Sequence, residues 1–171
     1  MPRHHALRAP LLTLLPAIVI AGCAGDPGTA PNDPAYSMGK PRSISITMTN
    51  PILTSTTLTV DQDNTSGYTV TITNSKAKQN LIGLQGYVRQ VRPSDAVLAD
   101  HPAGGTNVNC SAVSGELPHG SCTTGFSINV FNRAEDGPAL ESGSATFHVE
   151  LIDGSGAVLA FQDVAVTLVV P

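Results

Sequence analysis

The sequence predicts an all-β sandwich of about seven or eight antiparallel strands, formed as one domain by residues 43 to 171. Three observations support this fold class. Apolar and polar residues alternate with a period of two in several segments, which is typical of half-buried antiparallel strands. Only 13% of the 171 residues are charged, only 4% are aromatic, and none is Trp. The abundant Ser, Thr, Asn, Gly and Pro favour strands and turns, because these residues compete with helical backbone bonding.

Alternation is clearest near the two ends of the domain. Residues 43 to 49 place apolar side chains on one face and hydroxyl side chains on the other. Asn50-Pro51 is expected to end this strand, because proline cannot donate to a sheet. Four further segments share the pattern, at residues 57 to 60, 68 to 73, 126 to 130 and 145 to 151. The Asp-Gly-Ser-Gly sequence at residues 153 to 156 is a strong hairpin signal and predicts a last strand at about 158 to 170.

The middle of the domain is less regular. Residues 81 to 91 predict a longer strand, in which Gly83 and Gly86 mark a bulge or a close approach of the backbone. A polar turn is predicted for residues 61 to 67. Residues 93 to 124 are rich in Pro and Gly and predict a long loop, which is uncommon in a compact domain without a functional or stabilising reason. Only short strands are expected within it, near residues 96 to 99 and 108 to 113.

The N-terminus has the organisation of an export signal. After a weakly basic start, residues 11 to 20 are almost wholly apolar, over a length too short for a permanent transmembrane helix. This run ends in Ile20-Ala21-Gly22-Cys23, which resembles the lipobox of bacterial lipoproteins. The resemblance implies that the signal is cleaved before Cys23 and that a diacylglyceryl or acyl lipid is attached to its sulfur.

A lipid on Cys23 implies a cell-envelope protein that is bound to a membrane. By the same resemblance, Ala24 favours the outer membrane, because Asp at this position commonly signals retention at the inner membrane. The segment from Cys23 to residue 42 contains four Pro and three Gly with few apolar side chains, and it predicts a disordered tether. Residues 1 to 22 would be the signal peptide, and the covalent lipid is the only cofactor expected.

Charge and cysteine content agree with this layout. Loss of Arg3 and Arg8 with the signal would leave 7 basic and 13 acidic residues, a net charge of −6. This balance argues against nucleic acid and anionic lipid headgroups as electrostatic partners, because both need a basic face. An exported protein with three cysteines has one left over, and lipidation of Cys23 accounts for it. Cys110 and Cys122 are then predicted to form a disulfide, with two buried thiols as the alternative.

Two segments carry a second resemblance. GYTVTITN at residues 67 to 74 and LESGSATFHVEL at residues 140 to 151 are similar to strands of bacterial immunoglobulin-like or fibronectin-III-like modules. The resemblance implies an immunoglobulin-like arrangement of the sandwich. The chain departs from true immunoglobulin domains because it has no Trp, and because Cys110 and Cys122 are too close in sequence for the inter-sheet disulfide of those domains.

Signals for a metal site are incomplete. Cys110, His119 and Cys122 lie within thirteen residues, but they supply three ligands where a structural zinc site takes four. His101 and His148 have no second histidine at ligand spacing, and both are expected to be surface residues. No metal is therefore predicted.

Calcium binding and nucleophilic catalysis have weak signals as well. Asp61, Asp63 and Asn64 crowd one predicted turn, but Ser66 and Ile72 stand where a calcium loop requires Gly and Glu. The sequence has no Gly-x-Ser-x-Gly, Ser-x-x-Lys or His-Glu-x-x-His motif. No catalytic residue is predicted, and a small hydrolase or metal-binding enzyme is the weakest alternative.

The predicted contact region lies in the middle of the chain. Tyr87, Arg89 and Arg92 form a small aromatic and basic cluster, and His101 and His119 lie in the adjoining loop. The sequence therefore predicts a lipid-anchored, non-catalytic binding or structural module that contacts another envelope protein or a surface ligand. The alternative is an accessory subunit of an envelope assembly or secretion complex, to which the sandwich would offer edge strands.

Overall fold

The structure, a computed structural model, describes residues 46 to 171. This part of the chain contains a short 3-10 helix at Ala134–Asp136 and eight strands. The strands are β1 (Ile46–Leu53), β2 (Thr57–Thr59), β3 (Gln62–Asn74), β4 (Gly83–Val91), β5 (Leu98–Asn107), β6 (Gly120–Val130), β7 (Gly143–Ile152) and β8 (Val158–Val169). Among these residues no helix has the length and hydropathy needed to cross a membrane. The predicted signal, Cys23 and tether lie outside the described residues.

The strands form two sheets that enclose a common core. One sheet has the order β1-β3-β6 and the other the order β2-β8-β7-β4-β5. Neighbouring strands are antiparallel except for β2, which runs parallel to β8. The predicted all-β sandwich is confirmed. Its strand order is immunoglobulin-like, because β3 pairs with β6 in one sheet while β4, β7 and β8 are neighbours in the other.

Three aromatic rings pack together between the sheets, of which Tyr68 and Phe147 are buried and Phe126 is partly buried. Tyr68 of β3, Phe126 of β6 and Phe147 of β7 have ring centroids 5.5 to 6.2 Å apart. Phe126 lies against the backbone of β4, where a Cβ atom on Gly86 would be 2.8 Å from its ring. The close approach expected from the glycines of this strand is confirmed at Gly86. The register of β4 against β5 also shifts between Gly86 and Tyr87, which forms a bulge.

Two predicted strand boundaries were wrong. Strand β1 continues through Asn50-Pro51 to Leu53, with a register shift between Thr49 and Ile52. Asn50 has a φ of 53°, and β1 is an edge strand, where a proline can face away from the ladder. The predicted turn at residues 61 to 67 is also shorter, because β3 already begins at Gln62.

The largest difference from the prediction is strand β5. It occupies ten residues of the region predicted to be a long loop, and its sequence is interrupted by Pro102, Gly104 and Gly105. Pro102 is tolerated because β5 lies at the edge of its sheet. No strand forms at residues 108 to 113, which belong instead to an ordered loop.

The loop between β5 and β6, residues 108 to 119, is fixed by covalent and hydrogen bonds. The predicted disulfide between Cys110 and Cys122 is confirmed, with Cα atoms 5.7 Å apart, and it joins this loop to β6. Gln79 and Leu117 donate to each other's carbonyl oxygens at 2.9 Å, which connects the loop to the segment before β4. Leu117 is fully buried. This loop is therefore part of the ordered structure.

The connections between strands gather at two poles of the sandwich. Ile46 at the start of β1 pairs with Asn74 at the end of β3, and we call this end the N-terminal pole. Its connections are residues 75 to 82, 108 to 119 and 153 to 157. The connections of the opposite end, the far pole, are residues 54 to 56, 60 to 61, 92 to 97 and 131 to 142.

The variant Gly86→Ala tests the close packing of the two sheets. Its Cβ would lie 2.8 Å from the Phe126 ring and 3.0 Å from the Phe147 ring, so the free energy of unfolding should fall by about 1–3 kcal/mol. Gly83→Ala is the matched control on the same strand, because its Cβ would meet its nearest neighbour at an ordinary 3.5 Å. Urea denaturation measures both variants, and equal stability would contradict the close approach.

Candidate functional site

The outer face of the five-stranded sheet carries a group of ionisable side chains, which we call the outer-face cluster. The period of two places them opposite the core residues of the same strands. Cross-strand pairing then brings them together, since Arg89 pairs with Asp100, Tyr87 with His148, and His148 with Asp163. The cluster consists of Tyr87, Arg89, Asp100, His148, Glu150 and Asp163.

Arg89 and Asp100 form an ion pair on this face. The Arg89 Nε atom donates to Asp100 Oδ2 at 2.9 Å, and the two side chains are only 7% and 6% exposed. The guanidinium carbon lies 5.4 Å from the centroid of the Tyr87 ring. A charge buried to this extent requires a partner, because its desolvation is costly. Arg89 and Asp100 therefore hold each other in place.

His148 lies between two carboxylates. Its Nδ1 atom is 2.6 Å from Asp163 Oδ1, and its Nε2 atom is 3.1 Å from Glu150 Oε1. The ring also packs against Phe161, with centroids 5.5 Å apart. The prediction that His148 is a surface residue was wrong, because it is 1% exposed. Its strand position on the outer face was predicted correctly, but side chains from neighbouring strands cover it.

Burial changes the proton affinity of the cluster. It raises the pKa of the Asp100 carboxyl above 3.8, while the Arg89 guanidinium opposes this rise. Burial also raises the pKa of the Tyr87 phenol, and the carboxylates of Glu150 and Asp100 add to that effect. Asp100 Oδ1 is buried with no hydrogen-bond partner among the described residues. The cluster therefore combines strong internal pairing with one polar atom whose bonding capacity is unused.

A pocket of about 340 Å³ opens beside the cluster. Arg89, His148 and Asp163 are the ionisable residues of its lining, and Val91 and Leu98 form part of its apolar wall. Gln90, Ser144 and Thr146 are the other polar lining residues. Ligand sites typically combine an apolar wall with a few polar groups of fixed orientation. Here the pairing within the cluster supplies that fixed orientation.

A second depression, of about 500 Å³, lies on the other side of Tyr87. Gly83 and Gly105 contribute to its lining, together with Gln85 and Ile152. The Tyr87 hydroxyl donates to Gln85 Oε1 at 2.7 Å. Because no Asp, Glu, His, Lys or Arg is among its lining residues, this depression offers fewer charged groups to a ligand than the pocket beside His148.

His101 is inside the fold, so its prediction as a surface residue was also wrong. It is fully buried, with Nδ1 3.0 Å from the Phe131 carbonyl oxygen and Nε2 2.8 Å from the Pro138 carbonyl oxygen. It thus holds the connection between β6 and β7 against β5. This position removes His101 from any contact surface.

The five predicted contact residues do not form one surface. Tyr87 and Arg89 are neighbours in the outer-face cluster. Arg92 lies at the far pole, where its Nε donates to Asp95 at 2.9 Å, and His119 is exposed at the N-terminal pole. The sequence missed the remaining cluster members because their pairing depends on strand register. The only sequence signal was polar residues at alternate positions of β7.

The other chemical candidates are engaged within the fold. Cys110 and Cys122 are joined to each other, and the Asp61 carboxylate accepts a hydrogen bond from the Asn132 backbone at 2.9 Å. Asp63 belongs to strand β3 rather than to a calcium-binding turn. Within residues 46 to 171, no three His, Cys, Asp or Glu side chains are arranged to hold a metal ion.

No protein-family model matches the chain, and no curated protein sequence matches it. Solved structures that align with it include the alkylpurine DNA glycosylase AlkC of Pseudomonas fluorescens bound to DNA containing an abasic site analog, at 10% identity and a TM-score of 0.47. That alignment covers 72% of this chain and 30% of the glycosylase. A Niemann-Pick type C2 protein from the Japanese carpenter ant aligns at 10% identity over 74% of this chain and 95% of its own, with a TM-score of 0.46. The β-glucosidase EmGH1 of Erythrobacter marinus aligns at 14% identity over 73% of this chain and 15% of its own, with a TM-score of 0.46. These alignments are too distant to indicate a function.

The variant Arg89→Gln tests the electrostatics of the cluster. It removes the positive charge that lowers the Asp100 pKa, so this pKa should rise further. Because the folded-state pKa is above the unfolded value, the carboxyl stabilises the fold most below pH 3.8, and its contribution declines as pH rises through the folded pKa. In the variant that decline should extend to higher pH.

Carbon-detected NMR titration of the Asp100 carboxyl measures the shift, and urea denaturation across the same pH range measures the stability. Arg133→Gln is the control, because the Arg133 guanidinium lies over the Phe131 ring, 5.1 Å from its centroid, instead of in the cluster. An Asp100 pKa that stays the same in Arg89→Gln would contradict the proposed pairing.

Proposed function

We propose that this protein is a lipid-anchored, non-catalytic binding module of the cell envelope, and that the pocket beside the outer-face cluster is its ligand site. One observation carries the assignment of the site. Paired, nearly buried ionisable side chains lie on an outer face and contribute to the lining of a pocket. Its ligand would be another envelope protein or a surface ligand.

The energetic cost of the cluster supports a binding role. The outer face of a sandwich can be occupied by exposed polar side chains without desolvating a charge. Here the Arg89 and Asp100 side chains are both less than 10% exposed. Buried ion pairs are often no more stabilising than apolar residues of similar volume. Features that contribute little to stability are expected at functional sites. A ligand in the adjoining pocket would lie beside these side chains, which would then orient it.

The hydrogen bonding of His148 favours binding over catalysis. A general base or acid must reach the proton that it transfers. Both His148 ring nitrogens lie within hydrogen-bonding distance of carboxylates of the protein itself. Glu150 and Asp163 are thereby directed toward His148, so the cluster serves as a rigid wall for a ligand.

The anchoring part of the proposal comes from Ile20-Ala21-Gly22-Cys23 and the apolar run before it. A lipid on Cys23 would confine the module to a membrane surface, with the outer membrane favoured by Ala24. Confinement raises the effective concentration for partners on the same membrane, so the pocket could act with modest intrinsic affinity. The net acidic charge supports a protein or surface ligand over nucleic acid.

The edge of β6 favours a second role, as an accessory subunit of an envelope assembly or secretion complex. Two other edge strands are interrupted by proline, at Pro51 in β1 and Pro102 in β5. Strand β6 is eleven residues long and contains no proline. Strand β5 lies against this edge near Ser127, where a Cβ atom on Gly104 would be 2.8 Å from the Ser127 carbonyl oxygen. A strand added by a partner would therefore pair along the rest of the edge.

The variant Cys23→Ser tests the anchor. It should accumulate as an uncleaved precursor without lipid, because the thiol sulfur is the expected site of attachment. Mass spectrometry of the purified protein and partitioning into detergent measure the two effects. Ala24→Ser is the control and should keep the lipid. An unchanged mass and unchanged detergent partitioning of Cys23→Ser would contradict the proposed anchor.

A photoreactive side chain at Val91 tests the pocket in intact cells. Val91 lines the pocket and is 63% exposed, so it should crosslink to one discrete partner. Thr123, exposed on β6, is the comparison position. Adding Arg89→Gln should lower the yield of the Val91 crosslink about tenfold, as expected for a loss of about 1.4 kcal/mol in the free energy of binding.

Thr146 lines the pocket, so the larger side chain of Thr146→Trp should fill it and lower the yield of the Val91 crosslink. This variant leaves the buried charges of the cluster in place. Circular dichroism verifies that each variant is folded. Crosslinks from Thr123 alone would favour the edge-strand role, and absence of a specific product at Val91 would contradict the pocket.

A further inference from the structure

We infer that the N-terminal pole of the sandwich docks on the anionic surface of the membrane that holds the lipid anchor. The inference rests on the proposed lipidation of Cys23 and adds a defined contact face to it. Residues 24 to 45 connect Cys23 to Ile46, which lies at this pole next to Asn74. Whatever path this connection takes, it joins the described domain at the N-terminal pole.

An apolar side chain projects from this pole in a constrained conformation. Leu81 is 74% exposed and has a φ of 58°, a region that bulky residues seldom adopt. Its backbone is held on both sides, because Ile82 N donates to the Gly115 carbonyl at 2.9 Å and Gln79 pairs with the loop at Leu117. These hydrogen bonds hold Leu81 in its strained backbone conformation. Strained backbone conformations of this kind are common at functional positions.

The surroundings of Leu81 leave its side chain free to contact a membrane surface. It lies over Gly154, where a Cβ atom would be only 2.8 Å from the Leu81 Cβ. Val113, in the loop that contains Gly115, is 58% exposed. Two exposed aliphatic side chains on loops fixed to one another form a rigid apolar projection. Such side chains gain free energy when they enter the boundary between headgroups and acyl chains.

Charge is distributed unevenly between the poles. The connections of the N-terminal pole contain two lysines, Lys76 and Lys78, and two carboxylates. Lys78 pairs with Glu116 at 3.0 Å, and Asp153 Oδ1 accepts hydrogen bonds from the Ser155 backbone and hydroxyl. The four charges sum to zero, and Lys76 is exposed.

The far pole is acidic. Its connections contain five carboxylates and two guanidiniums. These are Asp61, Asp95, Glu135, Asp136 and Glu141, with Arg92 and Arg133. The connections of the N-terminal pole therefore have no net charge, whereas those of the far pole have a net charge of −3. An anionic bilayer would repel the far pole and favour contact with the N-terminal pole.

The expected contact is weak without the anchor. Each lysine near an anionic surface contributes about 1 kcal/mol, and this contribution falls within a Debye length. The lipid on Cys23 makes docking intramolecular, so a weak contact can still fix the orientation. A twelve-residue strand such as β8 spans about 40 Å. Docking at the N-terminal pole would therefore hold the far pole well away from the lipid.

Single tryptophans test this orientation, because the chain contains no Trp. Full-length Leu81→Trp and Val97→Trp are purified in the lipidated form and reconstituted into phosphatidylethanolamine and phosphatidylglycerol vesicles that contain brominated lipid. Val97 is the matched control, since it is 42% exposed and lies at the far pole. The tryptophan at position 81 should emit at shorter wavelength and be quenched at least about twofold more strongly than that at position 97.

Val113→Trp gives a second probe that leaves the backbone at position 81 unchanged, and it should behave like Leu81→Trp. In Leu81→Trp, adding Lys76→Gln and Lys78→Gln, or raising the salt concentration, should reduce the quenching. The mass of the purified protein reports lipidation separately. Lipidated protein with equal quenching at positions 81 and 97, or with none, would overturn docking while the anchor stands. A mass without lipid would overturn the anchor and the docking together.

Discussion

The contact between Phe126 and the bare backbone of the opposite sheet is the constraint on which the rest of the structure depends. A Cβ atom on Gly86 or Gly104 would lie within about 3.1 Å of the Phe126 ring. Gly104 also has a φ of 128°, which disfavours any side chain there. These two glycines let the ring approach the sheet and pack with Tyr68 and Phe147. The distance between the sheets is therefore set at this point.

The same point determines which side chains reach the outer face. Gly86 pairs with Gly104, but Tyr87 pairs with Pro102, so β5 contributes one extra residue. Such a bulge reverses the faces of all residues beyond it. With the extra residue, Arg89 lies opposite Asp100. Without it, the residue opposite Arg89 would be His101, and the buried ion pair of the outer-face cluster would not form.

The proposed anchor and the proposed pocket are compatible with this geometry. The chain from Cys23 joins the domain at the N-terminal pole, whereas the pocket lies where β4 and β5 approach the far pole, near Val91 and Leu98. A module that stands on its N-terminal pole would present this pocket away from the lipid. Rigid loops and a rigid cluster would then let the anchored protein bind without a large ordering cost.

By itself the sequence determined the sandwich class, the position of most strands and the disulfide. These features depend on local alternation, turn residues and the number of cysteines, all of which can be read along the chain. Local sequence signals also predict lipidation of Cys23. The prediction that Cys110 pairs with Cys122 used this predicted lipidation, because it leaves two cysteines for an expected oxidising compartment.

Only the tertiary structure decided the content of the site. Strand β5 was hidden by Pro102 and its glycines, which are acceptable because the strand lies at a sheet edge. His101 and His148 are polar residues in the sequence, but both are buried. His101 is enclosed by the chain near the 3-10 helix, and His148 is covered by Phe161 and two carboxylates. Burial of this kind depends on strand register and on residues distant in sequence, and a single bulge can change that register.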